Sequence, residues 1–243
     1  MFCMYSYGPG DIDILVLPEM AFTGYKFENL DEIKPFLEDT ETGPSVMWAK
    51  QQAVRLAAYV VVGYPEVTSD GHYYNSLCFV DRQGQLLTTY QKTFLFETDE
   101  QWAREGPGFR TIDVPELGKV GLGICMDINP YKFEASFNAY EFATYHNEQK
   151  TQLIICCMAW LRSSSGGGAL ETIRYWVHRL APLCHKEHIT QHFYFVACNR
   201  TGQERDVTFA GGSSVLDLAG PPFRLLDYME ETEQGVMVVE IKQ

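Results

Sequence analysis

The sequence has few basic residues, no long apolar run and no secretion signal at its start. Its 243 residues include 19 Lys and Arg against 32 Asp and Glu, a formal net charge of −13. Phosphate backbones and anionic lipids are bound by clustered Lys and Arg, so this balance argues against nucleic acid and membranes as partners. No stretch approaches the roughly 20 apolar residues of a membrane span, and no basic region followed by an apolar run opens the chain. We therefore expect a soluble, cytoplasmic protein.

The number and placement of the cysteines argue against a disulfide framework. The seven cysteines are odd in number, and four lie in apolar runs typical of buried strands: Cys78, Cys156, Cys157 and Cys198. Small disulfide-stapled domains instead space their cysteines through loops. The pattern indicates reduced thiols in a reducing compartment. Adjacent cysteines in one strand point to opposite faces, so burial explains Cys156 and Cys157 better than metal binding does.

Strand-length apolar runs alternate with segments of helical period, which is typical of α/β proteins. Because 46% of the residues are apolar, the chain can bury a substantial core, and we expect one domain over residues 1–243. Strands are predicted at residues 13–17, 59–63, 73–81, 85–90, 119–125, 153–157, 193–198, 213–217 and 236–241. The pair that flanks Arg82, Gln83 and Gly84 reads as an antiparallel hairpin, which makes the sheet mixed.

Three segments have helical period. A helix is predicted after Gly43, because Pro44 suits a first helical position. The spacing of Phe133, Phe137 and Tyr140 predicts a helix that ends near residue 146. A further helix is predicted at residues 172–180, ahead of a proline.

Three polar residues each come directly after an apolar strand: Glu19 in LVLPEM, Lys92 in TTYQK and Cys125 in VGLGIC. In open α/β sheets, reactive groups gather at the carboxyl ends of strands. Residues that are distant in sequence can meet there.

Such a set fits nucleophilic catalysis on an amide. A cysteine thiol has a pKa of about 8.5 and attacks as the thiolate, so it needs a base or a nearby cation. Glu19 would be the base, and Lys92 would stabilise first the thiolate and then the oxyanion, with the backbone amide of Met126 as a second donor. A tetrahedral adduct would expel ammonia and leave a thioester, which water hydrolyses.

Each of these residues also has an ordinary structural interpretation. A strand-end cysteine is usually a small buried hydrophobe, a strand-end lysine usually reaches solvent, and Glu19 could be a turn residue. Cys198 is a competing nucleophile, since it also ends an apolar strand. His185, His188 and His192 could line one helix face as metal ligands, but no HExxH motif accompanies them, so we expect no metal.

Longer motifs around the three residues carry a resemblance. LPEMAFTGY around Glu19, YQKTFLF around Lys92 and GICMD around Cys125 resemble the carbon-nitrogen hydrolase (nitrilase) superfamily, as do ACNRTGQE and FAGGSSVLD. The resemblance implies a four-layer αββα sandwich of two mixed sheets and a Glu-Lys-Cys triad. It also implies hydrolysis of non-peptide amides or nitriles without a cofactor. Members carry a second glutamate after the lysine, and Glu100 is the best match, implied to orient Lys92 or the substrate.

Within that superfamily, CMDINPYKFEASFNAYEFA and CCMAWL resemble the fungal branch that converts amino-terminal Asn or Gln of proteins to Asp or Glu and so feeds the N-degron pathway. Such a substrate carries an α-ammonium group, which Asp127, or Asp99 and Glu97, could attract. Trp160 follows a strand and either lines the substrate pocket or is ordinary packing.

The sequence departs from the family at its amino terminus. Members begin with a strand and a long helix before the segment matched by ILVLPEM, whereas only ten residues, Met1 to Gly10, take that place here. We therefore expect a domain whose first strand and helix are missing. Two alternative functions stay open: a small-molecule amidase of the ω-amidase or aliphatic type, and a non-catalytic scaffold that kept the fold. The sequence does not fix the oligomeric state.

Overall fold

Runs rich in β-branched and aromatic residues build one sheet in each of two units of the chain. The units comprise residues 1–107 and residues 108–243. The computed structural model describes residues 6–164, 166–184, 193–220 and 222–242. No helix in those ranges is long and apolar enough to cross a membrane.

The first unit contains a five-stranded mixed sheet. Its strands are β1 (Ile14–Val16), β2 (Glu38–Asp39), β3 (Tyr59–Val67), β4 (Tyr73–Val80) and β5 (Leu86–Gln91). β3 is parallel to β1 and β2 and antiparallel to β4, which is antiparallel to β5. β1 and β5 therefore run in the same direction and end at the same edge of the sheet. The predicted hairpin and the mixed sheet are confirmed.

In residues 6–107 two α-helices accompany this sheet, α1 (Leu30–Ile33) and α2 (Pro44–Leu56). α2 begins with Pro44 after an extended Gly43, as predicted, and ends where Ala57 turns to a φ of 51°. Its buried face packs into a core with apolar side chains of β3 and β4. The core contains Val46, Ala49, Ala53 and Leu56 of α2, Val60, Val62 and Tyr64 of β3, and Cys78 and Val80 of β4.

The second unit contains a six-stranded mixed sheet and a small hairpin. The sheet strands are β6 (Arg110–Val114), β7 (Gly118–Ile124), β8 (Leu153–Met158), β9 (Tyr194–Asn199), β12 (Ser214–Asp217) and β13 (Arg224–Tyr228), and the hairpin pairs β10 (Gln203–Glu204) with β11 (Val207–Thr208). β7, β8 and β9 are parallel neighbours, and antiparallel strands flank them. The carboxyl ends of the three parallel strands therefore share one edge.

Among its described residues the second unit has three α-helices, α3 (Glu141–Glu148), α4 (Gly168–Arg179) and α5 (Ala181–Cys184). Two positions of β7 are glycines because α3 and the loop after it lie against that strand. A Cβ on Gly121 would lie 2.5 Å from His146 Cε1, and one on Gly123 would lie 2.8 Å from Phe142 Cζ. β7 thus runs directly beneath α3 on its way to Cys125.

Two sequence predictions of secondary structure are wrong. The helix marked by Phe133 and Phe137 does not form before residue 141, because Lys132, Phe133 and Tyr140 have φ values of 52°, 55° and 48°, outside the right-handed helical region. The strand predicted at residues 236–241 is absent, and this segment has no regular secondary structure. The predicted α/β class with two mixed sheets is confirmed.

Candidate active site

Glu19 lies just beyond β1, in a turn held against β3. Leu17 donates its N–H to the carbonyl of Val61 at 2.8 Å, and Ala21 donates to that of Gly63 at 2.9 Å. A Cβ at Gly63 would lie 2.7 Å from the Cα of Glu19, a distance that real Cβ contacts do not reach. Only glycine therefore lets β3 approach this turn so closely.

Lys92 comes directly after β5, at the same edge of the sheet as Glu19. Its Nζ lies 2.7 Å from Glu19 Oε1 and 2.6 Å from Asp99 Oδ2. All three side chains are buried, with exposed fractions of 0%, 0% and 1%. The structure thus brings together two of the predicted catalytic residues and adds a carboxylate that the motifs did not single out for Lys92.

Asn75, near the start of β4, joins the two carboxylates. Its Nδ2 donates to Glu19 Oε1 at 2.7 Å and to Asp99 Oδ1 at 3.0 Å. Asp99 Oδ2 also accepts the backbone N–H of Phe96 at 3.0 Å. The sequence analysis missed Asn75. A single amide inside an otherwise largely apolar strand was the available signal, since buried polar groups require partners.

The charges in this buried group do not balance, because one ammonium faces two carboxylates. Burial is the largest influence on Glu19 and raises its pKa above the ordinary value of 4.5; Lys92 opposes the rise and Asp99 adds to it. A carboxylate whose pKa is raised binds a proton more readily near neutral pH, as a general base must. The geometry and the charge therefore suit Glu19 to proton transfer.

The predicted second carboxylate, Glu100, has an exposed side chain. Asp99, one residue earlier, is the carboxylate whose oxygen lies against Lys92 Nζ. A 3₁₀ helix spans Asp99–Gln101, so consecutive side chains point in different directions. Asp99 therefore pairs with Lys92, and the role implied for Glu100 in orienting Lys92 or the substrate stays a prediction.

Cys125 comes directly after β7, in a strained turn of the second unit. Its φ is 41°, a value that residues other than glycine rarely adopt. A 3₁₀ turn spans Cys125–Ile128, and Asn129 closes it by donating its N–H to the Met126 carbonyl at 2.9 Å. Residues held in sparsely populated backbone regions concentrate at functional sites, where the surroundings enforce the strain.

Asp127 has a local partner in this turn. Its Oδ2 accepts the backbone N–H of Ile124 at 2.8 Å, and its side chain is fully buried. The carboxylate therefore stabilises the strand-to-turn junction that presents Cys125. Its predicted role in attracting a substrate ammonium group stays a prediction.

Trp160 lies beyond β8, at the sheet edge where β7 also ends. Its backbone N–H donates to Asn199 Oδ1 at 2.7 Å, which ties it to the end of β9. The indole ring packs 5.5 Å from the ring of Tyr175 and 5.8 Å from that of Trp176. The residue is only partly buried, so packing and a pocket-lining role are compatible.

Three of the other described cysteines, Cys78, Cys184 and Cys198, are poor nucleophiles. Burial raises the pKa of the Cys78 thiol to about 12 and that of Cys184 to about 11. It also raises the pKa of the competing candidate Cys198, through desolvation that a hydrogen bond with Ser213 only partly offsets. A thiol that stays protonated at neutral pH attacks carbonyl carbon slowly.

The histidines predicted as possible metal ligands, His185, His188 and His192, lie outside the described residues. Among the residues that the structure does describe, no group of three or more His, Cys, Asp or Glu side chains could hold a metal ion.

Carboxylate, lysine and cysteine side chains that follow the strands of two mixed sheets fit a hydrolase that attacks amide carbon. The sequence matches the carbon-nitrogen hydrolase family over residues 6–243, which spans both units. The chain belongs to the carbon-nitrogen hydrolase family. This confirms the predicted superfamily membership. It also confirms the prediction that the protein is an enzyme that hydrolyses carbon-nitrogen bonds.

Named relatives support this placement. The protein N-terminal amidase of Schizosaccharomyces pombe is 35% identical over 254 residues, which cover 96% of this chain and 88% of that protein. The 2-oxoglutaramate amidase of Bacillus subtilis is 27% identical, over 94% of this chain and 78% of that protein.

Solved structures share the fold. Crystal structures of N-terminal amidase with an Asn-Glu peptide and with a Gln-Val peptide match with TM-scores of 0.82 and 0.81. Each is 21% identical, and each match covers 95% of this chain and 89% of the other.

Proposed function

We propose that this protein hydrolyses the side-chain amide of an amino-terminal Asn or Gln in proteins or peptides, which yields Asp or Glu and ammonia. The observation that carries the proposal is the buried group in which Lys92 Nζ lies within 2.7 Å of both Glu19 and Asp99. Burying such a group is costly, because each charge loses its hydration. A role in catalysis would offset this cost.

In the proposed reaction Cys125 is the nucleophile and Glu19 is the base. The cysteine sulfur attacks the side-chain carbonyl carbon while Glu19 takes the thiol proton, and the carbonyl oxygen becomes an oxyanion. Lys92 stabilises the developing negative charge, and the backbone N–H of Met126 is the second donor. Asp99 orients Lys92, the role that the sequence analysis gave to Glu100.

The tetrahedral adduct then collapses. The carbon-nitrogen bond breaks, Glu19 returns its proton to the leaving nitrogen, and ammonia departs from a thioester of Cys125. Glu19 next takes a proton from water, and the resulting hydroxide attacks the thioester carbon. The carbon-sulfur bond then breaks, the product leaves as the acid, and Glu19 returns its proton to the sulfur to restore the thiol, so no cofactor is consumed.

Similarity to known amidases supports the choice of substrate. The S. pombe relative is a protein N-terminal amidase, and N-terminal amidase structures contain Asn-Glu and Gln-Val peptides. A net charge of −13 also attracts a substrate that carries an α-ammonium group. A peptide with a free amino-terminal Asn or Gln is therefore a better proposed substrate than a small-molecule amide.

Ammonia release tests the proposal directly. The purified chain is incubated with a peptide that begins with Asn, with one that begins with Gln, and with the N-acetylated Asn peptide. We expect ammonia and an Asp or Glu product from the first two, and little from the acetylated peptide because it lacks the ammonium group. Cys125→Ser should abolish release, because an alcohol is a far weaker nucleophile than a thiolate.

The same assay separates the alternatives. Release from 2-oxoglutaramate but not from the peptides would make the chain a small-molecule amidase, in line with its B. subtilis relative. No release from any amide would favour the scaffold interpretation, and equal release by wild type and Cys125→Ser would refute the nucleophile.

The cytoplasmic location and the place in an N-degron pathway stay predictions. If both hold, deleting the gene should lengthen the half-life of a cytoplasmic reporter that begins with Asn and leave one that begins with Asp unchanged.

A further inference from the structure

The segment that follows Cys125 contains an unusual amount of backbone strain. Four residues other than glycine have positive φ within a stretch of sixteen: Cys125, Lys132, Phe133 and Tyr140, at 41°, 52°, 55° and 48°. Each such residue is energetically unfavourable and persists only where its surroundings enforce it. Residues 125–140, here called the nucleophile segment, therefore need restraint from another element.

Arg179, in the last turn of α4, supplies part of that restraint. Its Nε donates to the carbonyl of Ile128 at 2.8 Å, and Nη1 donates to the carbonyl of Phe137. The guanidinium carbon lies 4.9 Å from the ring centroids of both Phe137 and Tyr140. One buried side chain thus holds both ends of the nucleophile segment.

Glu141 extends this contact. Its Oε2 lies 3.7 Å from Arg179 Nη2, and its Oε1 accepts the backbone N–H of Tyr131 at 3.2 Å. Because the guanidinium is 1% exposed, its attraction to the carbonyls and to Glu141 is weakly screened by water. The middle of the nucleophile segment is therefore connected to the same cation.

Tyr175 lies one turn before Arg179 on α4 and contacts the turn that contains the nucleophile. Its hydroxyl donates to Asn129 Oδ1 at 2.7 Å. Asn129 in turn contacts Met126 twice, through its backbone N–H to the Met126 carbonyl at 2.9 Å and through Nδ2 to the sulfur at 3.4 Å. Asn129 therefore links the Tyr175 hydroxyl, through hydrogen bonds, to Met126, the residue proposed as the second oxyanion donor.

We propose that Tyr175 and Arg179 are positioning residues that fix the nucleophile segment, so that the Cys125 sulfur and the Met126 amide keep their reactive orientation. This inference rests on the proposed function for its kinetic consequence. Neither side chain needs to touch the substrate. Displacement of a reacting group by about 1 Å can lower a rate by about a hundredfold, so such restraint matters more to the chemical step than to binding.

Tyr175→Phe is the cleanest probe. It keeps the ring that packs against Trp160 and removes only the hydroxyl bonded to Asn129. We expect kcat for the Asn-initiated peptide to fall about tenfold, as for a weakened oxyanion donor. The Michaelis constant should stay within about twofold, because ground-state contacts are untouched. Arg179→Lys keeps the positive charge but loses the guanidinium group that donates to both carbonyls. It should likewise lower kcat and leave the Michaelis constant nearly unchanged.

Arg174→Met is the matched control, since Arg174 is exposed on the same helix. It should leave both kinetic constants unchanged. A Tyr175→Phe kcat within twofold of wild type, or an equal loss in Arg174→Met, would overturn the proposal. A raised Michaelis constant with unchanged kcat would overturn it too, because Tyr175 would then bind substrate.

Amide hydrogen exchange provides a readout that needs no substrate. In Tyr175→Phe, exchange of residues 126–140 should quicken relative to wild type and to Arg174→Met, while strands β8 and β9 keep their protection. Unchanged exchange in the nucleophile segment would refute the restraint. If wild type released no ammonia from any peptide, the proposed function would fail alone, and exchange would still decide the role of Tyr175 and Arg179.

Discussion

The two units hold their candidate reactive side chains by different physical means. In the first unit, Glu19, Lys92 and Asp99 are fixed by short charge-assisted contacts of 2.6 and 2.7 Å in a buried setting. In the second, Cys125 lies in a turn with φ 41°, and backbone hydrogen bonds and α4 restrain that turn. Charge sets the geometry in the first case, whereas backbone conformation sets it in the second.

This difference separates two kinds of sensitivity to mutation. Removing one member of a buried charge group leaves the others without compensation, so the fold suffers together with the chemistry. Replacing the thiol of Cys125 leaves in place the hydrogen bonds of Ile128, Asn129 and Tyr175 that hold the turn. Mutations in the group of Glu19, Lys92 and Asp99 should therefore lower stability together with activity, whereas mutation of Cys125 should chiefly lower activity.

The largest expected effect is the contrast between Lys92→Met and Cys125→Ala. Both should abolish ammonia release, but only Lys92→Met leaves two buried carboxylates facing each other. We expect it to lower the free energy of unfolding by about 3–5 kcal/mol, against less than about 2 for Cys125→Ala. Thermal melting of the full chain measures the difference.

Lys34→Met is the control for that contrast, because Lys34 is an exposed lysine of the same unit. It should melt like the wild type. Equal melting temperatures for Lys92→Met and Cys125→Ala would show that the buried charges are held no more tightly than the cysteine turn.

The sequence predicted the elements that depend on local signals and failed where distant contacts decide the structure. Strands such as β3 and β8, and the β4–β5 hairpin, were predictable because β-branched runs and a short polar turn are local signals. The helix predicted through Phe133 and Phe137 failed because the contacts with Arg179 that hold this segment come from more than forty residues away. Apolar spacing does not reveal such contacts.

At the candidate site, the motifs predicted which residues follow strands, and the structure then paired Lys92 with Glu19. The pairing of Lys92 with Asp99 could not be predicted, because a motif match does not state which side of a 3₁₀ turn faces inward. Asn75 and Tyr175 could not be predicted as partners, since their contacts depend on cross-strand register and helix placement.

An intermediate effect is expected for Asp99→Asn. Asp99 raises the pKa of Glu19, so removing its charge should lower that pKa. A general base acts when deprotonated, and the acid limb of kcat/KM should therefore move to lower pH. A weaker base also transfers protons more slowly, so kcat should fall about tenfold. A pH profile with the Asn-initiated peptide measures both effects.

Asp31→Asn serves as its control, since Asp31 is exposed in the same unit. That substitution should leave the acid limb where it is. An acid limb that moved to higher pH in Asp99→Asn would mean that Asp99 acts chiefly by orienting Lys92 and that loss of this ion pair dominates its electrostatic influence on Glu19.

The smallest effect tests the strain at Cys125. At ordinary positions glycine is less stable than alanine by about 0.5–1 kcal/mol. A positive φ costs an L-residue with a Cβ about 1–2 kcal/mol, which glycine avoids. Cys125→Gly should therefore be at least as stable as Cys125→Ala in urea unfolding, whereas Ala143→Gly in α3 should show the usual loss. If Cys125→Gly is less stable than Cys125→Ala by the usual difference between glycine and alanine, the backbone at Cys125 is not strained. The contacts of α4 are then not needed to hold a strained conformation at the nucleophile.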